Sequence, residues 1–109
     1  MTRVTFLATD GRPVADISLK PGQSVMLAAV EANLHGIEAE CGGLLTCATC
    51  HVYVDEHDRV RLTPPDADEL AMLDFVAAER RATSRLSCQL LGSPALDRLT
   101  VTLPERQVA

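Results

Sequence analysis

Four cysteines constrain this chain more than any other feature. Cys41, Cys47 and Cys50 stand in a C-x5-C-x2-C arrangement, and Cys88 follows after a C-x37-C interval. The first three fall in a stretch, Ile37 to Cys50, where Gly, Thr and Cys recur closely with no helical or strand period. A long structured loop is predicted there, and a loop of that length in a small protein needs a reason. Gly42-Gly43 permits positive φ and a tight curl around an enclosed object, although an ordinary Gly-Gly turn would look the same. Ala48 and Thr49 are also small, so backbone N–H groups can turn inward toward negatively charged sulfur.

The chain has 109 residues, enough for one compact core and too few for two; residues 1–109 are expected to form a single domain. With 47% apolar and 23% charged residues, it lies outside the regime in which chains stay disordered. Val4, Phe6 and Ala8 alternate with polar neighbours, Asp10-Gly11 is a turn dipeptide, and Val14, Ile17 and Leu19 follow, so residues 3–19 read as a β-hairpin. Ser24 is a good N-cap for a mostly apolar helix, Val25 onward, ending near Gly36. After the cysteine loop, Val52-Tyr53-Val54 is a short β-run, Pro64-Pro65 interrupts the chain, and Asp66 through Arg81 has helical character. Leu86–Leu91 and Leu99–Leu103 are the last strand candidates, the second ended by Pro104.

Composition excludes several functions. The net charge of −5 repels phosphate backbones and anionic membranes, and one Tyr, two Phe and no Trp leave no platform for stacking bases. No apolar run approaches the roughly 18 residues of a membrane span, and the N-terminal residues alternate as a strand does, without a secretory signal's apolar stretch. A cytoplasmic protein that binds neither nucleic acid nor membrane is expected. In that compartment four cysteines point to a metal site or redox chemistry rather than disulfides.

Zinc sites commonly use two C-x2-C knuckles, and this chain has one. A thioredoxin-like motif needs Cys47-Ala48-Thr49-Cys50 to open a helix, but a β-branched run follows. An iron–sulfur cluster can be wrapped by a loop carrying three thiolates, with the fourth supplied from elsewhere, as in the plant-type C-x4-C-x2-C…C pattern, from which this spacing differs by one residue. A 2Fe-2S cluster is the leading expectation, with zinc or redox-active thiols as alternatives. His51 follows Cys50 directly, but Rieske centres need two histidines in place of two cysteines, so a hydrogen-bonding histidine that braces the loop is expected. Leu86 and Leu90 flank Cys88 at strand spacing and would shield a cluster while packing in the core.

The run Cys41-Gly42-Gly43-x3-Cys47-Ala48-Thr49-Cys50-His51-Val52-Tyr53-Val54, then Met72-Leu73-Asp74, then Ser84-Arg85-Leu86-Ser87-Cys88-Gln89, resembles the adrenodoxin/putidaredoxin class of 2Fe-2S ferredoxins across most of the chain. The C-x37-C interval and the Asp97-x5-Leu103-Pro104-x-Arg106 ending are similar to the bacterial branch. The resemblance implies an α+β, β-grasp fold: a ferredoxin-type mixed sheet with a packed helix and a long cluster-binding loop. It also implies one 2Fe-2S cluster held by Cys41, Cys47, Cys50 and Cys88. The protein would then be a monomeric one-electron carrier and not an enzyme, linking an NAD(P)H-dependent flavoprotein ferredoxin reductase to a haem-thiolate monooxygenase of the cytochrome P-450 kind. A ring-hydroxylating dioxygenase or iron–sulfur cluster biogenesis is the alternative destination, and a zinc-stabilised interaction module the alternative from another class.

In the resembling class an acidic helix docks on basic partner surfaces, which nominates Glu40 and Asp74 first and Asp66, Asp68 and Glu69 with them. Acids in a first turn and arginines in a last turn also suit the helix dipole without any partner. Leu44-Leu45 in the loop is either a partner contact or packing beneath it. The absence of a terminal Trp rules out transferring the terminal aromatic contact that some relatives make.

Overall fold

The structure, a computed structural model, describes residues 2–32, 34, 50–76, 78–93 and 96–105. Strands β1 (Thr2–Leu7) and β2 (Pro13–Leu19) form the expected hairpin, with Val4 opposite Ile17 and Phe6 opposite Ala15. At its turn Gly11 has φ +90°, a conformation that glycine adopts without strain. Helix α1 (Val25–Glu31) begins where Ser24 accepts a 3.0 Å bond from the Leu27 amide. It stops at Glu31, short of the predicted end; the Leu34 amide reaches back to the Ala29 carbonyl, and Gly36 lies outside the described residues, as does the predicted loop up to residue 49.

Strand β3 (His51–Val54) leads into a one-turn helix α2 (Glu56–Arg59) capped by Asp55, an element without a sequence expectation. Helix α3 (Ala67–Leu73), strand β4 (Ser84–Leu86), a 3-10 turn (Ser87–Gln89) and strand β5 (Arg98–Thr102) follow. The sheet order is β2-β1-β5-β3-β4; β1 and β5 are parallel and the other pairs antiparallel, giving the mixed sheet that was expected. Helix α1 packs on β2 and the 3-10 turn, and the core gathers Val4, Phe6, Leu19, Val25, Ala29, Val52, Leu86, Leu90, Leu99 and Val101. No helix among the described residues is long and apolar enough to cross a membrane.

Two predicted elements are shorter than their patterns suggest. Asp66–Arg81 is not one helix: Asp66 caps α3, Leu73 is its last residue, and the Phe75 amide closes a turn onto the Met72 carbonyl. Asp74, just past the helix end, pairs with Arg80. Leu86–Leu91 is not one strand either, because Ser87 directs both its amide and its hydroxyl to the Cys50 carbonyl, and the Leu90 amide bonds Ser87 behind it. Beyond this turn the chain is fastened to the segment before α1: the Gly92 amide bonds Gln23 and its carbonyl accepts from Gly22. A Cβ at residue 92 would lie 2.6 Å from the Lys20 carbonyl oxygen, so only glycine fits this approach.

Glu69 corrects the surface expectation. It is 1% exposed, because it lies on the face of α3 that packs against β4. Its two oxygens grip Arg85 through Nε at 2.7 Å and Nη2 at 3.0 Å, and Oε2 also accepts the Leu86 amide at 3.0 Å. Arg85 Nη1 donates to the Thr63 carbonyl at 2.8 Å. Glu69 is therefore a structural acid and does not face a partner. Removing one member of a buried, hydrogen-bonded ion pair strands the other charge. Glu69→Ala should cost about 3–5 kcal/mol in urea unfolding followed by circular dichroism, whereas the double replacement Glu69→Leu with Arg85→Met should cost clearly less. Equal losses in the two proteins would show that the pairing is not the source.

Candidate metal centre

Two of the four cysteines lie among the described residues, and the β3–β4 register brings them together. His51 pairs with Leu86, Val52 with Arg85 and Tyr53 with Ser84. One step further, Cys50 faces Ser87, whose amide and hydroxyl reach the Cys50 carbonyl at 2.9 and 2.8 Å. Cys88 comes directly after Ser87, so residues far apart in the chain meet at one end of the same ladder. Both cysteines are buried in the apolar core, at 1% and 9% exposure, in the same cluster as Leu86 and Leu90, and the turn that carries Cys88 packs on α1. Cys41, Cys47, Glu40 and Leu44-Leu45 lie outside the described residues.

Cys88 sits in the 3-10 turn rather than in the strand expected for it. That turn places Gln89 Nε2 3.4 Å from Cys88 Sγ as a donor. Buried thiols with an N–H donor aimed at sulfur form an environment suited to soft, thiolate-bound metal. Leu86 and Leu90 are both buried, as their flanking positions suggest.

His51 is buried and its Nε2 lies 2.8 Å from Ser84 Oγ, so the imidazole braces the β3–β4 pair. Burial, with the Arg81 charge adding to it, pushes the ring down to about 4, so it is neutral at pH 7. The His51 and Tyr53 rings meet in a T-shaped arrangement with centroids 4.7 Å apart, and the Arg81 guanidinium lies over the Tyr53 ring, 4.2 Å from its centroid. The Tyr53 hydroxyl donates to the Glu79 carbonyl, and burial pushes its ionisation upward.

The other expected surface acids divide by role. The Asp66 side chain accepts the Glu69 amide at 2.8 Å as the α3 cap, Asp68 is exposed, and Asp74 is exposed and paired with Arg80. Arg85, Ser87 and Gln89 stand in the motif that carries the family resemblance, but the sequence alone assigned them no role. An arginine inside a buried strand signals a charge partner on a neighbouring element, and the acids of α3 were the candidates. Phe75, 74% exposed directly after Asp74, was likewise overlooked.

Residues 9–91 match the family described as the 2Fe-2S iron-sulfur cluster binding domain. Putidaredoxin of Pseudomonas putida is 38% identical over 98% of this chain and 99% of its own length, and rhodocoxin of Rhodococcus erythropolis is 44% identical over 99% and 100%. A crystal structure of the covalent complex between putidaredoxin reductase and putidaredoxin contains a chain that is 38% identical to this one and superposes with a TM-score of 0.89, covering 95% of this chain and 99% of that one. With a family match over most of its residues and relatives aligned end to end, the chain belongs to the 2Fe-2S ferredoxins of the putidaredoxin and adrenodoxin type.

Proposed function

We propose that this protein carries single electrons from an NAD(P)H-dependent flavoprotein reductase to a terminal oxygenase of the cytochrome P-450 type, through a 2Fe-2S cluster held by Cys41, Cys47, Cys50 and Cys88. The observation that carries this reading is the meeting of two buried cysteines at the β3–β4 ladder end in a chain of this family. The family resemblance to a protein found in covalent complex with its reductase supports the first partner.

The cluster, when bound, supplies a one-electron step without making or breaking a bond to substrate. The chain's own residues perform the remaining tasks. Leu86 and Leu90 exclude water, Ser87 fixes the Cys50 backbone, and the Glu69–Arg85 pair fixes the strand that delivers Cys88. Asp68 and Asp74 present carboxylates for basic partner surfaces, within a chain of net charge −5. Asp66 contributes its charge from the helix cap, and Glu40, outside the described residues, is proposed with them from the family resemblance alone.

Protein purified anaerobically with iron and sulfide supplied should be red-brown, contain about two irons and two acid-labile sulfides per chain, and bleach with dithionite. Cys88→Ser should lose most of that absorption. Colourless protein holding one zinc ion would overturn the reading. Asp74→Lys should raise the Michaelis constant for reductase-driven reduction roughly fivefold at low ionic strength and flatten its dependence on salt. An unaltered constant at low salt would remove Asp74 from the docking surface.

A further inference from the structure

We propose that Gln89 raises the reduction potential of the centre by donating its side-chain N–H to the Cys88 sulfur. The inference rests on the proposed role of Cys88 as a ligand and concerns the neighbouring residue, which is not itself a ligand. Three observations carry it. Gln89 Nε2 lies 3.4 Å from Cys88 Sγ, and the residue is only partly exposed. Its backbone is the last residue of the 3-10 turn, which is held by the two Ser87 bonds to Cys50 and by the Leu90 amide on Ser87. The Leu90 carbonyl in turn accepts the Val25 amide at the start of α1 at 2.8 Å, so the backbone that carries Gln89 is anchored on both sides of Cys88 and Gln89.

The chemistry selects the donating orientation. A thiolate accepts from the NH2 end of the amide and repels the carbonyl end, so a ligand sulfur favours the orientation that turns Nε2 toward Sγ. One added electron raises the negative charge on the sulfurs, and an N–H···S bond strengthens with that charge. The bond therefore stabilises the reduced state more than the oxidised one, and potentials of such centres follow hydrogen bonds to sulfur and solvent access. The partial burial of Gln89 limits competition from water for the same sulfur.

The test uses the cluster-loaded full chain, equilibrated with redox dyes, in the variants Gln89→Met, Gln89→Asn and Gln89→Glu. Methionine keeps the length without the donor and should shift the exchange equilibrium toward the oxidised form by about tenfold, equivalent to about 59 mV for one electron. Glutamate should shift it further in the same direction. Asparagine, whose amide is drawn back by one methylene, should fall between parent and methionine. Resonance Raman spectra of Gln89→Met should show a moved iron–cysteinyl sulfur stretch. Potentials of the methionine and asparagine variants within twofold of the parent equilibrium would overturn the proposal. So would a shift confined to glutamate, since bare charge repulsion explains that. If the parent chain loads no cluster, or Cys88→Ser keeps it intact, the failure lies with the proposed function and is visible before any Gln89 variant is measured.

Discussion

The buried pairing of Glu69 with Arg85 holds together the half of the molecule that delivers Cys88. Burying two opposite charges costs several kcal/mol of desolvation for each ion, and the attraction between them offsets this only where the hydrogen bonding is complete. Here it is. Arg85 spends one nitrogen on each Glu69 oxygen and a third on the Thr63 carbonyl, and Glu69 also takes the Leu86 amide. That last bond has a further effect. In the described sheet β4 is an edge strand of three residues, and an edge amide is an open pairing site. The carboxylate occupies the place a further strand would take, so β4 ends where the turn to Cys88 begins.

The same bonds explain why the two described cysteines are well held. A one-electron carrier works best when its centre changes little between oxidation states, which calls for ligands on elements whose positions are set by other contacts. Cys50 opens β3, and its carbonyl takes two bonds from Ser87. Cys88 follows Ser87 in a turn packed on α1. The neutral, buried His51 braces the next pair along the ladder through Ser84, whose hydroxyl also accepts the Arg81 amide at 2.8 Å. Hydrogen bonds from Ser84 and Ser87 thus tie the ladder end together, while the buried Leu86 and Leu90 line its apolar side.

The hairpin, the Ser24 cap, the β-run after the loop and the metal-type cysteine spacing were legible in the sequence because each rests on local chemistry: alternation, a turn dipeptide, a capping hydroxyl, the reach of a thiol. What was not legible depended on contacts across the chain. Alternation of Leu86 with Leu90 looks like a strand, and only the Cys50 carbonyl opposite Ser87 converts it into a 3-10 turn. The helical character of Asp66–Arg81 gives no sign that Asp74 pairs with Arg80. Glu69 looks like its neighbours Asp66 and Asp68, and only the position of Arg85 sends it inward. Helix α2 is a single turn held by the Asp55 cap, too short to leave a period.

The removal of Glu69 from the surface changes how the remaining acids act. With Asp66 engaged as a cap and Asp74 paired with Arg80, no dense stripe of unpaired carboxylates runs along α3 among the described residues. For the proposed basic partners, attraction would then come from the field of the whole chain, whose net charge of −5 would deepen with an anionic cluster, more than from a few short ion pairs. Such a field speeds encounter and is screened by salt, but it leaves the bound complex weakly held. That balance suits a carrier that must leave one partner to reach the next, because fast association combined with fast release keeps electrons moving where a tight complex would stall them.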